Sequence, residues 1–343
     1  MKILVTGGTG YIGSHTVVEL QQKGYETVIV DDLSNSSIEV LDAIEKITGI
    51  KPLFGKVDLK HKEHVKEFIK EHNDIKAVIH FAASKAVGES VENPLKYYEN
   101  NIASITYLLK ELVNNNINLF VFSSSCTVYG EPDILPIDES APIKKAESPY
   151  GNTKKISEDI LLDLSKASLE FKVISLRYFN PIGAHDSALI GELPVNEPNN
   201  LCPVITRTAI GKRESFDVFG TDYDTPDGSC IRDYIHVVDL AKAHVLAIER
   251  LINNKNKKDF EVFNLGTGTG YSVLEVINEF ERITNQKVNY KISGRRPGDV
   301  VQIYADTRFA NKELGWKAER NLSEMLESAW MWEKYLKENE TRY

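Results

Sequence analysis

Cysteine is scarce here: Cys126, Cys202 and Cys230 are the only three in 343 residues, an odd number and widely spaced. That excludes a disulfide framework and the close pairs of a zinc site, and leaves reduced thiols in core or loop. Long apolar runs are lacking as well. No stretch reaches the ~18 apolar residues of a membrane span. Met1 leads straight into Ile3-Leu4-Val5 with no basic segment, longer apolar region and cleavage site ahead of it, so the expected compartment is the cytoplasm. Positive charge is not in excess: 41 Lys and Arg face 50 Asp and Glu, a net charge of −9. This speaks against nucleic acid as a partner, because a phosphate backbone demands clustered cations. No metal site is expected either. His61 and His64 flank Glu63, but on a charged helix-like segment that reads as a solvated face.

What is present is ample apolar material, 42% of the chain, enough for one large α/β unit or two modest domains. Short β-branched runs predict strands at Lys2–Thr6, Glu26–Asp31, Leu53–Asp58, Ala77–Phe81, Leu119–Ser123 and Lys172–Tyr178. Between them the spacing predicts helices over Tyr11–Lys23, Ile38–Thr48, Lys62–His72, Pro94–Asn114 and Tyr150–Lys166. Strict alternation of this kind predicts a doubly wound parallel Rossmann sheet over residues 1–181. Beyond Asn180-Pro181, Pro194, Pro198, Pro203 and Pro226 break the pattern, which predicts a second, smaller mixed α/β domain over 182–343. Its segments Asp233–Val238 and Glu261–Leu265 read as strands able to rejoin the first sheet. Asn253–Asp259 reads as a surface turn, and the tail after Glu338 as frayed.

The first strand ends in Thr6-Gly7-Gly8-Thr9-Gly10-Tyr11-Ile12-Gly13. Glycines at such spacing allow a sharp strand-to-helix turn, close approach to a pyrophosphate, and tight packing of the helix on the sheet. The helix start offers free N–H groups and the positive end of its dipole to that anion. Such a triplet is weak evidence by itself, but this one sits between a predicted strand and helix. Asp31 closes the second strand about 20 residues on, where a carboxylate accepts from ribose hydroxyls and repels a 2′-phosphate. NAD is therefore the expected cofactor. Asp32 beside it reads as a turn residue.

Ser125 follows an apolar strand in the run Ser123-Ser124-Ser125, and strand ends of a parallel sheet face the ligand crevice. Tyr150 and Lys154, four apart, share one helix face. A tyrosine ordinarily ionises near ~10. An ammonium and a cationic nicotinamide beside it lower that value, so the phenol becomes a usable base. Serine would bond the same substrate oxygen. The interior strand residue His80 reads as a satisfied core imidazole, and His236 as structural.

Loop, serine strand and Tyr-x-x-x-Lys, in this order and with a long C-terminal region, resemble the extended branch of the short-chain dehydrogenase/reductase superfamily. The resemblance covers essentially the whole chain. Phe81–Ser90 (FAASKAVGES), Ser123–Gly130 (SSSCTVYG), Arg177–Gly183 (RYFNPIG), Asn199-Asn200-Leu201, Arg232–Val237 (RDYIHV) and Arg295–Asp299 (RRPGD) resemble the UDP-glucose 4-epimerases of that branch. Departures are small: Ala83-Ser84, and Cys126 where alanine is usual. The resemblance implies Tyr150 as base, Lys154 as its electrostatic and ribose-binding partner, and Ser125 as hydroxyl-orienting donor. It implies an NAD site lined by Gly7, Gly10, Tyr11, Ile12, Gly13, Asp31, Asp58, Phe81, Ala82, Lys85, Asn100 and Phe179, with Asp58 toward the adenine amino group. Tyr178 and Asn180 would lie near the sugar, and Asn200, Leu201 and Phe219 against UDP. Arg232 and Arg296 would clamp the pyrophosphate and Asp299 the uridine ribose. By charge alone, Arg296 and Asp299 read as an exposed turn.

The implied reaction interconverts UDP-glucose and UDP-galactose by reversible oxidation at C4, with the keto sugar turning over while UDP stays held. Ile303 stands at the position that sets whether N-acetylhexosamines fit, which leaves a UDP-N-acetylhexosamine or dual-specificity epimerase as the alternative. A 4,6-dehydratase would carry an Asp-Glu pair where Cys126-Thr127 stand. A simple dehydrogenase would release its cofactor, and a sensor would have no use for the triad. The helices Pro94–Asn114 and Tyr150–Lys166 resemble those that form a four-helix bundle in homodimers. Leu108, Leu109 and Leu112 would supply its apolar face, unless they face the sheet.

Overall fold

In the first strand Ile3 and Val5 enter one apolar cluster and Leu4 another, and all three are buried. A strand buried on both faces requires a layer on each side. The computed structural model describes residues 1–193, 197–198, 200–296 and 298–339. Pro194, Asn199, Pro297 and positions 340–343 of the tail lie outside the described residues.

The chain begins β1 (Lys2–Thr6), α1 (Tyr11–Gln22), β2 (Glu26–Asp31), α2 (Glu39–Thr48), β3 (Leu53–Lys56), α3 (Lys62–Glu71), β4 (Ile75–His80). It continues α4 (Val87–Glu92), α5 (Pro94–Tyr98), α6 (Ser104–Asn114), β5 (Leu119–Ser123), α7 (Pro149–Ala167), β6 (Lys172–Tyr178), β7 (Asn180–Ile182) and α8 (Leu201–Ala209). The remainder is β8 (Phe216–Phe219), β9 (Ile231–His236), α9 (Val237–Ile252), β10 (Phe260–Leu265), β11 (Gly270–Ser272), α10 (Val273–Thr284), β12 (Tyr290–Ser293), β13 (Gln302–Ile303) and α11 (Leu322–Glu338).

Seven strands form one sheet in the order β10-β6-β5-β4-β1-β2-β3, every neighbouring pair parallel. Side chains of α1, α2 and α9 cover one face, and those of α3, α6 and α7 the other. Each large apolar side chain so buried contributes about 1.5–3 kcal/mol. The strand order reverses at β1 and β4, which opens a crevice beyond their carboxyl ends. The second region holds a mixed sheet of β7, β9, β11 and β13, and the parallel pair β8–β12. Its core is built from residues such as Ile205, Phe280, Met325 and Leu326.

Several expectations change. Of the two late strands, β10 joins the first sheet beside β6, whereas β9 belongs to the second. β9 stops at His236 because the imidazole Nδ1 accepts from Val238 N at 3.0 Å and caps α9. β3 ends at Lys56, short of Asp58, whose Oδ1 accepts from Lys60 N at 2.9 Å and turns the chain. Pro94–Asn114 is interrupted by a π-helical turn at Glu99–Ala103. There Asn101 brackets the loop before α4: Oδ1 accepts from Ser84 N at 2.8 Å and Nδ2 donates to Ser84 O at 3.0 Å. Leu108, Leu109 and Leu112 face the sheet and pack with Val78 and Phe120, so they offer no outer apolar face.

Candidate active site

The glycine loop leaves β1 at the reversal point. Gly7 has φ +68°, and a Cβ there would stand 2.8 Å from Ala82 N. A Cβ on Gly13 would stand 2.2 Å from Gly7 O, so only glycine lets α1 approach the loop this closely. Gly10 occupies the N-cap of α1 with no side-chain cap, which leaves the first N–H groups for a ligand. Asp31 shapes the next turn: Oδ1 accepts from Leu33 N and Ser36 Oγ, both at 3.0 Å, and Oδ2 from Thr9 N at 3.2 Å. This glycine cradle with a carboxylate at the end of β2 fits an adenine dinucleotide without a 2′-phosphate.

The other expected NAD residues gather around the same crevice. Phe81 and Ala82 directly follow β4, and Phe81 stacks on His244 with centroids 4.6 Å apart. Tyr11 and Ile12 open α1, and the Tyr11 hydroxyl donates to Gly183 O at 2.6 Å, tying the loop to the second region. Lys85 pairs with Glu192 at 2.9 Å, and its Nζ lies 5.9 Å from the Tyr11 ring centre. Asn100 sits on the π-helical turn and donates to Ser84 Oγ at 3.1 Å. Phe179 is buried with Cys126 and Ile303. Asp58 lies further along, with the Lys60 amine at 3.5 Å.

Where β5 ends, the backbone turns through Ser123-Ser124-Ser125 into a short 3-10 turn, Cys126–Tyr129. The Ser125 hydroxyl oxygen accepts from Thr127 N at 3.2 Å and Thr127 Oγ1 at 3.0 Å. A hydroxyl has two acceptor positions and one proton, so with both acceptor positions taken the Ser125 proton remains to be donated. Tyr150 stands in the first turn of α7, which Ser148 caps by accepting from Gly151 N at 3.2 Å. One turn on, Lys154 Nζ donates to Ser123 O at 2.6 Å and lies 5.9 Å from the Tyr150 ring centre. The Ser123 hydroxyl meets Tyr178 Oη at 2.6 Å.

The electrostatics of the protein alone run opposite to the expected direction. Burial pushes the Tyr150 phenol well above its ordinary value, and Tyr178 adds to this, while the Ser125 hydrogen bond pulls it down. Burial also pushes the Lys154 amine down to about 7, against the attraction of Glu158. Lys154 is itself desolvated and donates to Ser123 O.

Of the residues expected at UDP, Arg232, Phe219, Arg296 and Asp299 meet. Asp299 accepts from Arg296 Nη2 at 2.8 Å and Nε at 3.1 Å, with Arg232 Nη2 at 3.7 Å. Arg296 lies 5.4 Å from the Phe219 ring centre. Ile303 is buried and in register with Arg232 on the neighbouring strand. Asn180 opens β7, and Asn200 precedes Leu201 at the start of α8, its Nδ2 donating to Glu192 Oε1 at 2.8 Å. The sequence reading overlooked Glu192, which joins Lys85 to Asn200, and Glu158, although Glu158 recurs one turn beyond Lys154 on the same helix face.

Comparison with known proteins agrees with this geometry. Residues 3–266 match the NAD dependent epimerase/dehydratase family. A UDP-glucose 4-epimerase of Drosophila melanogaster is 50% identical over 337 residues, 96% of each chain. The solved UDP-glucose 4-epimerase of Bifidobacterium longum, in complex with NAD+ and UDP, superposes with a TM-score of 0.95 at 45% identity over 100% of both chains. That of Stenotrophomonas maltophila, with bound NAD and formylated UDP-arabinopyranose, gives 0.94 at 46% identity over 99% of both. The chain belongs to the NAD dependent epimerase/dehydratase family, in its UDP-glucose 4-epimerase branch.

Proposed function

We propose that the protein interconverts UDP-glucose and UDP-galactose at C4 with NAD held throughout the cycle. The observation that carries this reading is the buried cluster at the end of β5. Ser125 has spent its acceptor side on Thr127 and keeps its proton to donate, with Lys154 one helical turn from Tyr150. When bound, NAD supplies the acceptor that takes hydride from C4 and gives it back. Tyr150 removes the proton from the 4-hydroxyl and later returns it. Ser125 orients the same oxygen by hydrogen bonding. Lys154 supports the phenolate and holds the cofactor's ribose, and a cationic nicotinamide close to the phenol offsets the burial that raises it.

The glycine loop, Asp31, Asp58, Phe81, Ala82, Lys85, Asn100 and Phe179 serve NAD from the first domain, residues 1–181. Tyr178 and Asn180 stand at the sugar, and Asn200, Leu201, Phe219, Arg232, Arg296 and Asp299 hold UDP from the second domain, residues 182–343 apart from α9 and β10, which belong with the first sheet. Guanidinium forks suit a pyrophosphate. Ile303, of intermediate size at the sugar, favours UDP-hexoses over their N-acetyl forms. A homodimer built on α5, α6 and α7 is supported by exposed Leu95 and Val113. Among the described residues no helix is long and apolar enough to cross a membrane, in keeping with work in the cytoplasm.

The test is to give purified protein UDP-galactose without added NAD. Formation of UDP-glucose is expected. Release of NADH in step with turnover, or no UDP-glucose at all, would overturn the assignment.

A further inference from the structure

Glu158 takes no part in the steps above, yet it sits at the joint of the machinery. It is buried on α7, one turn beyond Lys154 and two beyond Tyr150, on the same helix face. Oε1 accepts from Ser124 Oγ at 2.6 Å, Ser175 Oγ at 2.7 Å and Arg177 Nε at 3.0 Å, and Oε2 accepts from Arg177 Nη2 at 2.5 Å. Ser124 lies between Ser123, whose carbonyl holds Lys154, and Ser125, which bonds Tyr150. Arg177 in turn covers the Tyr129 ring at 4.8 Å, and Tyr129 donates to Asn264 Oδ1 at 2.7 Å on β10. One carboxylate thus joins the catalytic helix to β5 and, through β6, to the far edge of the sheet.

We infer that Glu158 is a positioning residue of the active site: it locks α7 to the Ser123–Ser125 turn and sets a buried carboxylate one helical turn from Lys154 on the same face.

Other ionisable groups near α7 do not compete for that role. On α4 and α5, Glu89 bonds Lys96 and Tyr97, and Glu92 is exposed. Tyr98 accepts from Asn152, and Glu99 on the π-helical turn is exposed. Glu261 on β10 pairs with Arg250. Burial holds Cys126, Tyr129 and Tyr178 neutral, each pushed up to about 12, and holds His80 on β4 neutral at about 3. Arg177 is committed to Glu158. Against the burial that lowers Lys154, the attraction of Glu158 is what remains.

The kinetic part rests on the epimerase reading; the titration does not. In holoprotein labelled with 15N-lysine, the Lys154 amine is followed against pH by NMR and assigned by its loss in Lys154→Met. Removing a neighbouring anion favours the neutral amine, so Glu158→Gln should lower the midpoint by about one pH unit. The alkaline limb of kcat with UDP-galactose should move the same way. An unshifted midpoint in the folded variant overturns the inference. Should Glu158→Gln fail to fold, leaving Arg177 buried without a counter-ion, Ser124→Ala decides, since it keeps the ion pair. A fall in kcat of at least about tenfold with KM unchanged supports the lock, and unaltered kcat overturns it. Wild-type protein inactive on UDP-galactose would sink the epimerase reading, while the titration still judges Glu158.

Discussion

At the end of β5, Ser125, Tyr150 and Lys154 are 6%, 8% and 4% exposed, and Ser125 and Lys154 are already bonded to the protein. In the second region Arg296 is 41% exposed and Phe219 38%. Arg296 bonds a nearby carboxylate at an accessible edge. On the proposed reading, the difference follows from what each would handle. Proton and hydride transfer need fixed, dry geometry, whereas a hydrated diphosphate must reach its cations from solution. Dry geometry is costly to disturb, and accessible cations are not.

The comparison can be broken at four places. The largest effect is expected from Tyr150→Phe, which should cut kcat about 10³-fold in a coupled UDP-glucose assay, with UDP affinity by calorimetry unchanged. Equal losses in both would mean that the phenol is structural. Gly13→Ala forces a Cβ against Gly7 O at 2.2 Å. It should cost about 3 kcal/mol and strip NAD from the purified protein, read from its absorbance. Retained NAD would show that the loop yields.

Acid comes next. Burial pushes His15 and His80 down to about 3 and His244 to about 4. The unfolded state therefore binds more protons below about 6.5, and the stability present above that value is lost as pH falls. Each histidine should contribute a loss of about 2 kcal/mol by pH 5, measurable as a drop in the urea midpoint from pH 7 to 5. A flat profile would mean that these rings are reachable by water. The smallest effect is expected at the accessible edge: Arg296→Ala should weaken UDP binding about tenfold and leave kcat nearly as it was. A large kcat loss would erase the contrast between the regions.

What the sequence disclosed was local. The loop Gly7–Gly13, Asp31 at a strand end, and Tyr150 four residues before Lys154 are fixed by spacings within one βα unit or one helical turn, so they could be read directly. Long-range arrangements were not legible. Nothing in Phe260–Leu265 distinguishes a strand that returns to the first sheet from one, such as Ile231–His236, that does not. Glu158 and Arg177 are 19 residues apart, and their pairing depends on how α7 lies on β6. How strongly burial raises the Tyr150 phenol could not be read, because burial is not given by the sequence. That Leu108, Leu109 and Leu112 face the sheet, which the sequence left open, is likewise decided by tertiary placement.

Asp299 already shares itself between two guanidinium groups. An incoming anion must therefore displace a resident one. A lone inorganic phosphate would strand that carboxylate and recover little. On the proposed reading, a nucleoside diphosphate would reach both arginines while its ribose hydroxyls gave the displaced carboxylate new donors. On that reading Asp299 would screen the site against small free anions.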